Sequence, residues 1–363
     1  GIVMSVSKYS LVKGNQGFVG LDNYIKILFS SSMYNKSFWL GMKNTMIFVI
    51  LTTPFLVLGS LALALLLDRL PDRIKGVFRT IYFASYAVSV TAVAAVFVWL
   101  MKGNGGYLNN LMLNLGIIDK AVPWMEQQPF VWVSLTVATI WWTIGYNMML
   151  FVNALNEIDT QLYEASAIDG AGFGTQLRYI IFPGIKNVFF FVLMTTIIAS
   201  FNVYGQTRLM TQGGPGETTK PMIMMITSTI MDRNDLGVGS AMTILMGIVI
   251  VLCSVGQYYL TKEKEELRSE ERTMKTKNMN KIFLVIIACI VAYLFLLPLM
   301  FMIFTSFKGI AESVTSTTLL PKTWTMENYR ELFMNTSTSP VLRWLGNTAV
   351  VTCAGTALRI VTS

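Results

Sequence analysis

From Met46 to Leu67 the chain reads MIFVILTTPFLVLGSLALALLL, a run without a single Asp, Glu, Lys or Arg. As an α-helix this run is roughly 33 Å long at 1.5 Å per residue, enough for the ~30 Å hydrocarbon core of a bilayer. Five further runs share the property: Thr80–Met101, Phe130–Leu155, Val188–Tyr204, Gly239–Leu260 and Ile282–Phe307. A seventh, Leu345–Leu358, begins close to the C-terminal end. Val188–Tyr204 is the shortest full run and reaches spanning length when extended back to Asn187 and Pro183. The chain is 53% hydrophobic and only 13% charged, with a mean hydropathy of +0.55; an ordinary globular domain is about a quarter charged. The expected fold is therefore all-α, a polytopic transmembrane helix bundle.

The net charge of +8 follows this topology. Between alternate runs, Arg69–Arg79, Asn156–Lys186 and Thr261–Lys281 hold 13 Lys and Arg in roughly 60 residues, whereas the other connecting segments and the N-terminal stretch hold 14 in roughly 145. The denser set is expected to face the cytoplasm. Nucleic-acid binding is not needed to explain the basic balance. Cys253, Cys289 and Cys353 lie far apart in apolar runs and the chain has no His. That argues against a zinc site or disulfide framework and excludes His-based nucleophilic catalysis. No metal ligands and no catalytic residues are expected.

The two ends of the chain resemble each other. Leu21-Asp22-Asn23-Tyr24 near the start answers Met326-Glu327-Asn328-Tyr329 near the end. Asn44-Thr45 answers Asn347-Thr348, and Ser5-Val6-Ser7-Lys8 aligns with Thr305-Ser306-Phe307-Lys308. Residues 1–260 are read as a first unit with five spans, 261–281 as a charged cytoplasmic linker, and 282–363 as the truncated start of a second unit. By this symmetry the first unit is expected to lack its first helix. Leu21, Tyr24, Ile25 and Leu28 share one face of a short helix suited to the outer interface.

The segment after the third run is the most informative: LYEASAIDGAGFGTQLRYIIFP, Leu162 to Pro183. Asp159 is placed to cap a short helix from about Thr160. Gly170, Gly172 and Gly174 then turn the chain, and a second short helix runs to Pro183. Small side chains at Ala165, Ser166 and Ala167 make this hairpin slim enough to enter a groove on another protein.

This pattern resembles the EAA loop of ABC importer permeases: Glu-Ala-Ala, three residues, Gly, nine residues, Ile, one residue, Leu, Pro. Glu164, Ala165, Gly170, Ile180 and Pro183 match at the full spacing. Ser166 replaces the second Ala and Phe182 replaces the Leu; Asp169 and Ala171 flank the glycine. Leu209-Met210-Thr211-Gln212-Gly213-Gly214-Pro215 is similar to the Gly-Gly-Pro loop of carbohydrate-importer permeases. Residues 1–272 look like a maltose-type or glycerol-phosphate-type subunit, and 274–363 like the beginning of its partner subunit. The resemblance implies a bundle of the ABC importer permease type in the plasma (inner) membrane of a prokaryote. It further implies coupling to ABC ATPase subunits through the loop, a second permease subunit, an extracytoplasmic solute-binding protein, and a sugar or oligosaccharide as solute. The chain has no Gly-x-x-x-x-Gly-Lys-Ser/Thr loop, so ATP is expected on a partner and no cofactor on this chain.

A secondary transporter or channel not driven by ATP is the alternative. Such proteins place ionisable residues inside their spans, and the six complete runs contain no Asp, Glu, Lys or Arg. A solute path built for a sugar needs rings to stack on and groups to hydrogen-bond. Trp141, Trp142, Tyr146 and Asn147 in the third run, with Asn202 and Tyr204 at the end of the fourth, are the candidates.

Overall fold

The computed structural model describes residues 1–266, 281–315, 318–334 and 341–362. In chain order the elements are α1 (Ile2–Ser5), a β1–β2 hairpin (Ser7–Ser10, Gly14–Phe18), α2 (Asp22–Leu28), α3 (Met33–Asp68), α4 (Asp72–Ala84), α5 (Val90–Leu100) and α6 (Tyr107–Asn114). There follow α7 (Phe130–Asn156), α8 (Thr160–Ile168), α9 (Phe173–Gln176), α10 (Phe182–Phe201), α11 (Met222–Met231) and α12 (Leu236–Glu266). The series closes with α13 (Lys281–Ser306), α14 (Ile310–Thr315), α15 (Glu327–Met334) and α16 (Val341–Thr362). The first six residues of the charged segment 261–281 continue α12; residues 267–280 lie outside the described residues.

Among the described residues, five helices are long and apolar enough to cross a membrane: Met33–Asp68, Phe130–Asn156, Phe173–Phe201, Leu236–Gln257 and Ile282–Ser306. The run Thr80–Met101, expected as one span, is instead broken: α4 and α5 meet at 96°. The break has local causes. Ser89 caps α5 by accepting the Ala92 amide at 3.3 Å. The Val88 carbonyl, left without a helical partner, accepts the Trp142 indole N–H at 2.9 Å. A backbone interruption at membrane depth is tolerated when neighbouring helices satisfy its freed groups.

The chain divides into two compact units, Gly1–Leu296 and Leu297–Ser363. The first therefore extends beyond the charged segment. Its extension is held by Tyr82, whose hydroxyl donates to the Ala288 carbonyl at 2.8 Å, and by Trp141, whose indole donates to the Phe295 carbonyl at 3.2 Å. At the centre of this unit α3, α7 and α10 pack together. Hydroxyl side chains within them return their protons to the backbone one turn earlier, as Thr45 does to Gly41, Thr52 to Phe48 and Thr139 to Leu135; in an apolar surrounding this satisfies the donor. Ile27, Phe38, Met42, Met222 and Met242 form the buried core between α2, α3, α11 and α12.

The repeat recognised in the sequence has matching local geometry, one unit at a time. In the first, the Asn23 amide donates to the Ser5 and Ser7 carbonyls at 2.8 and 3.0 Å, and the Tyr24 hydroxyl donates to Ser5 Oγ at 2.8 Å. In the second, Asn328 donates to the Ser306 and Lys308 carbonyls at 3.0 and 2.7 Å, and Tyr329 Oη meets Ser306 Oγ at 2.7 Å. Ser5 thus answers Ser306 and Ser7 answers Lys308, an offset of 301 in place of the 300 read from the letters. Because Asn23 must reach this clamp, α2 buries Asn23 and Ile27. Of the apolar face read from sequence, Tyr24 and Leu28 pack half-buried on the core, whereas Leu21 and Ile25 stay exposed.

Candidate functional site

The segment 159–183 folds as a hairpin of two short helical arms. Asp159 Oδ1 accepts the Gln161 amide at 2.9 Å and starts α8. Gly170 stops it with φ +72°, a left-handed conformation that side chains disfavour. Gly172 precedes α9, and Gly174 lies inside α9 rather than in the turn. Ser166, at the position where the motif has alanine, ties the arms together: its hydroxyl accepts Gln176 Nε2 at 2.9 Å, and its carbonyl accepts the Ala171 amide at 2.8 Å. Pro183 does not end the second arm. A wide π-helical turn, Leu177–Ile181, carries the chain through Phe182 and Pro183 into α10, so Phe173–Phe201 forms one apolar element. Proline is tolerated there because it sits in the first turn of α10, where its missing N–H has no α-helical partner to lose.

The hairpin projects from the helices around it. No residue of α8 is buried. Glu164, Ala165, Asp169 and Gly170 are exposed; Ser166, Ala171, Ile180 and Phe182 are half-buried, and Pro183 is exposed. Ile168 is 87% exposed and Leu162 52%. At Gly170 no atom lies within 4 Å of the place a Cβ would take.

A second feature lies between α3, α7, α10 and the helix break. It is a cavity of about 440 Å³. Tyr146, Asn147, Asn202 and Tyr204 line it. Trp141 does not: it is buried against Phe97, rings 5.5 Å apart. The reason is the helical period. Trp142 and Tyr146 are four residues apart and share a face, while Trp141 is five from Tyr146 and points away. Sequence reasoning missed Tyr86, whose ring stacks on Tyr146 at 5.0 Å and 24°, because only the break between α4 and α5 brings it there. Hydroxyl and amide groups complete the wall. Asn147 Nδ2 donates to Thr196 Oγ1 at 3.0 Å, and Thr52 and Ser200 hydroxyls meet at 3.2 Å. No Asp, Glu, Lys or Arg among the described residues lines this cavity.

In the N-terminal half of α3, Asn44 Nδ2 donates to the Glu217 and Lys220 carbonyls at 2.9 and 3.0 Å. Thr45 Oγ1 accepts the Met222 amide at 2.8 Å. The Asn-Thr pair thus anchors the segment that follows Gly213-Gly214-Pro215.

Residues 27–264, about two thirds of the chain, match the family described as "Binding-protein-dependent transport system inner membrane component". The chain belongs to this family. The permease is 29% identical over 262 residues to the arabinooligosaccharides transport system permease protein AraP of Halalkalibacterium halodurans, covering 72% of this chain and 80% of that one. It is 27% identical over 231 residues to the lactose transport system permease protein LacF of Rhizobium radiobacter, covering 63% and 77%. The bacterial alginate ABC transporter, crystallised in complex with an alginate pentasaccharide-bound periplasmic protein, contains a chain of the same fold. The TM-score is 0.61 at 20% identity, with 67% of this chain and 83% of that chain covered. The protein is accordingly the membrane component of a transporter and not an enzyme, and the all-α bundle is of the importer-permease type.

Within the permease, sequence signals found the hairpin almost completely, since its capping residue, glycines and EAA pattern are local. They found the cavity in part, because a period-3.6 reading of α7 alone could have preferred Trp142 over Trp141. Tyr86 and Gln176 carried no local signal at all.

Proposed function

We propose that this permease carries an uncharged sugar or short oligosaccharide across the plasma membrane of a prokaryote, driven by ABC ATPase subunits that grip the 159–183 hairpin. The observation that carries the solute class is the cavity, with a stacked tyrosine pair, Trp142 and Tyr204 as ring platforms and amide and hydroxyl groups between them. Sugars are recognised through such stacking and hydrogen bonds. A carboxylated or phosphorylated solute needs a cation beside it at membrane depth, and the cavity wall offers none among its described residues. The relatives named for arabinooligosaccharides and lactose agree with this class. The exposed, internally tied hairpin supports ATP coupling, since the chain has no phosphate-binding loop of its own. A second permease subunit and a solute-binding protein complete the assembly in this reading. In this reading residues 282–363 belong to a further permease unit, supported by the shared Asn–Tyr clamp.

Uptake into proteoliposomes holding the complete assembly tests the solute. Neutral di- and oligosaccharides are expected to be taken up, and Asn147→Ala to raise KM about tenfold, the equivalent of roughly 1.4 kcal/mol. Preferential uptake of a uronate oligosaccharide or of glycerol phosphate would refute the uncharged class. Co-purification tests the hairpin. Gly170→Arg, whose side chain points into open space, is expected to release the ATPase while the spans stay folded; retention of the ATPase by that variant overturns the docking role.

A further inference from the structure

We propose that Arg69 and Phe173 form the joint through which the hairpin moves α3. The proposal rests on the reading of the hairpin as the ATPase contact. Arg69 is the residue that ends α3, and its guanidinium carbon stands 3.5 Å over the centre of the Phe173 ring, the first residue of α9. Both groups are partly buried. A guanidinium flat on an aromatic face is attracted by the ring's negative face, and more strongly where water is excluded. The charge of the neighbouring Asp68 is felt on the other arm: the Tyr163 phenol of α8 is pushed up from its ordinary value by burial and then by that charge. The end of α3 therefore touches the second arm at Phe173, while the Ser166–Gln176 hydrogen bond ties that arm to the first.

What α3 does further along gives this contact its purpose. At mid-length Phe48 and Leu56 line the cavity, and Thr52 between them hydrogen-bonds Ser200 of α10, itself a lining residue. One turn before Phe48, Asn44 and Thr45 hold the segment between Gly213 and Met222. One 36-residue helix thus joins the hairpin, the cavity and the opposite loop. A displacement of the hairpin reaches Leu56 through the Arg69–Phe173 joint along one continuous helix, and Phe48 beyond the interior proline Pro54. Arg69 and Phe173 are positioning residues; neither contacts the cavity.

The complete transporter in proteoliposomes tests the joint. Three quantities are read for native protein, Arg69→Gln, Phe173→Leu and Phe173→Trp: ATPase retained on the permease, ATP hydrolysed, and solute moved. Arg69→Gln and Phe173→Leu are expected to keep the ATPase but to lower solute moved per ATP at least fivefold. Phe173→Trp, which restores an aromatic face, is expected to recover the native ratio. An unchanged ratio in Phe173→Leu overturns the joint, as does a Phe173→Trp protein as uncoupled as the leucine variant. Loss of the ATPase from Phe173→Leu alone makes Phe173 a docking residue and also overturns it. Loss of the ATPase from native protein refutes the hairpin reading itself, which separates the two failures.

Discussion

Replacing Gly145 with alanine puts a methyl group against the backbone of another helix. Gly145 lies in α7 where it crosses the end of α4, and the new Cβ falls on the Tyr82 carbonyl group, 2.9 Å from its carbon and 3.0 Å from Phe83 Cα. Carbon atoms in contact sit at about 3.5–4.0 Å, so the two backbones must part by at least about 0.5 Å. No side-chain rotation relieves this, because every near atom belongs to the main chain. Overpacking of this kind costs about 1–3 kcal/mol. The displaced segment carries Tyr86, three residues beyond Phe83, so its stack on Tyr146 loosens as well; an aromatic pair is worth about 0.5–1.5 kcal/mol. The sum is roughly 1.5–4.5 kcal/mol of stability, with a weakened solute site. Gly247→Ala in α12 is the matched control, since no atom lies within 4 Å of its Cβ position. In a helix interior that change is expected to be neutral or to stabilise by about 0.5–1 kcal/mol. Thermal unfolding in detergent and solute affinity in proteoliposomes are measured for both variants. A Gly145→Ala protein with native unfolding midpoint and native affinity would refute the close-crossing argument.

Three further outcomes are expected. Ser166→Ala restores the residue type of the motif but removes the acceptor for Gln176, so the hairpin should lose about 1 kcal/mol locally; faster amide exchange in residues 160–176 with unchanged exchange in α7 checks this. Asn23→Ala leaves two carbonyls without their donor at a site only 3% exposed, and should cost about 1–3 kcal/mol, read from the thermal unfolding midpoint. Trp142→Phe keeps a ring at the cavity but strips the donor from the Val88 carbonyl at the helix break. It should destabilise by about 1–3 kcal/mol and increase proteolytic cleavage near residues 85–90.

The hairpin was legible because each of its signals is local. A carboxylate one residue before a helix, a glycine that needs φ > 0 and a fixed spacing of small residues act within one or two turns of chain. The role of Ser166 was half legible: its small size fits the motif, but its bond to Gln176 exists only once the arms fold back on each other. The repeat was legible in letters yet misplaced by one residue. Letter similarity cannot see which carbonyls an asparagine reaches, and the clamp aligns Ser5 with Ser306. The broken run at 80–101 was not legible, since an apolar composition reports only transfer into lipid and is silent on whether a backbone break is satisfied by a neighbour.

By itself the sequence determined that this chain lives in a membrane, roughly where its apolar helices lie, and which segment carries the EAA-like pattern. Those properties follow from transfer free energies and short-range backbone preferences, which are sums over adjacent residues. Only the tertiary structure decided that Tyr86 stacks on Tyr146 across the helix break and that Arg69 lies on Phe173. Each of these joins residues distant in the chain, and such pairs are set by how helices cross and where a backbone bends, which no run of neighbouring residues encodes.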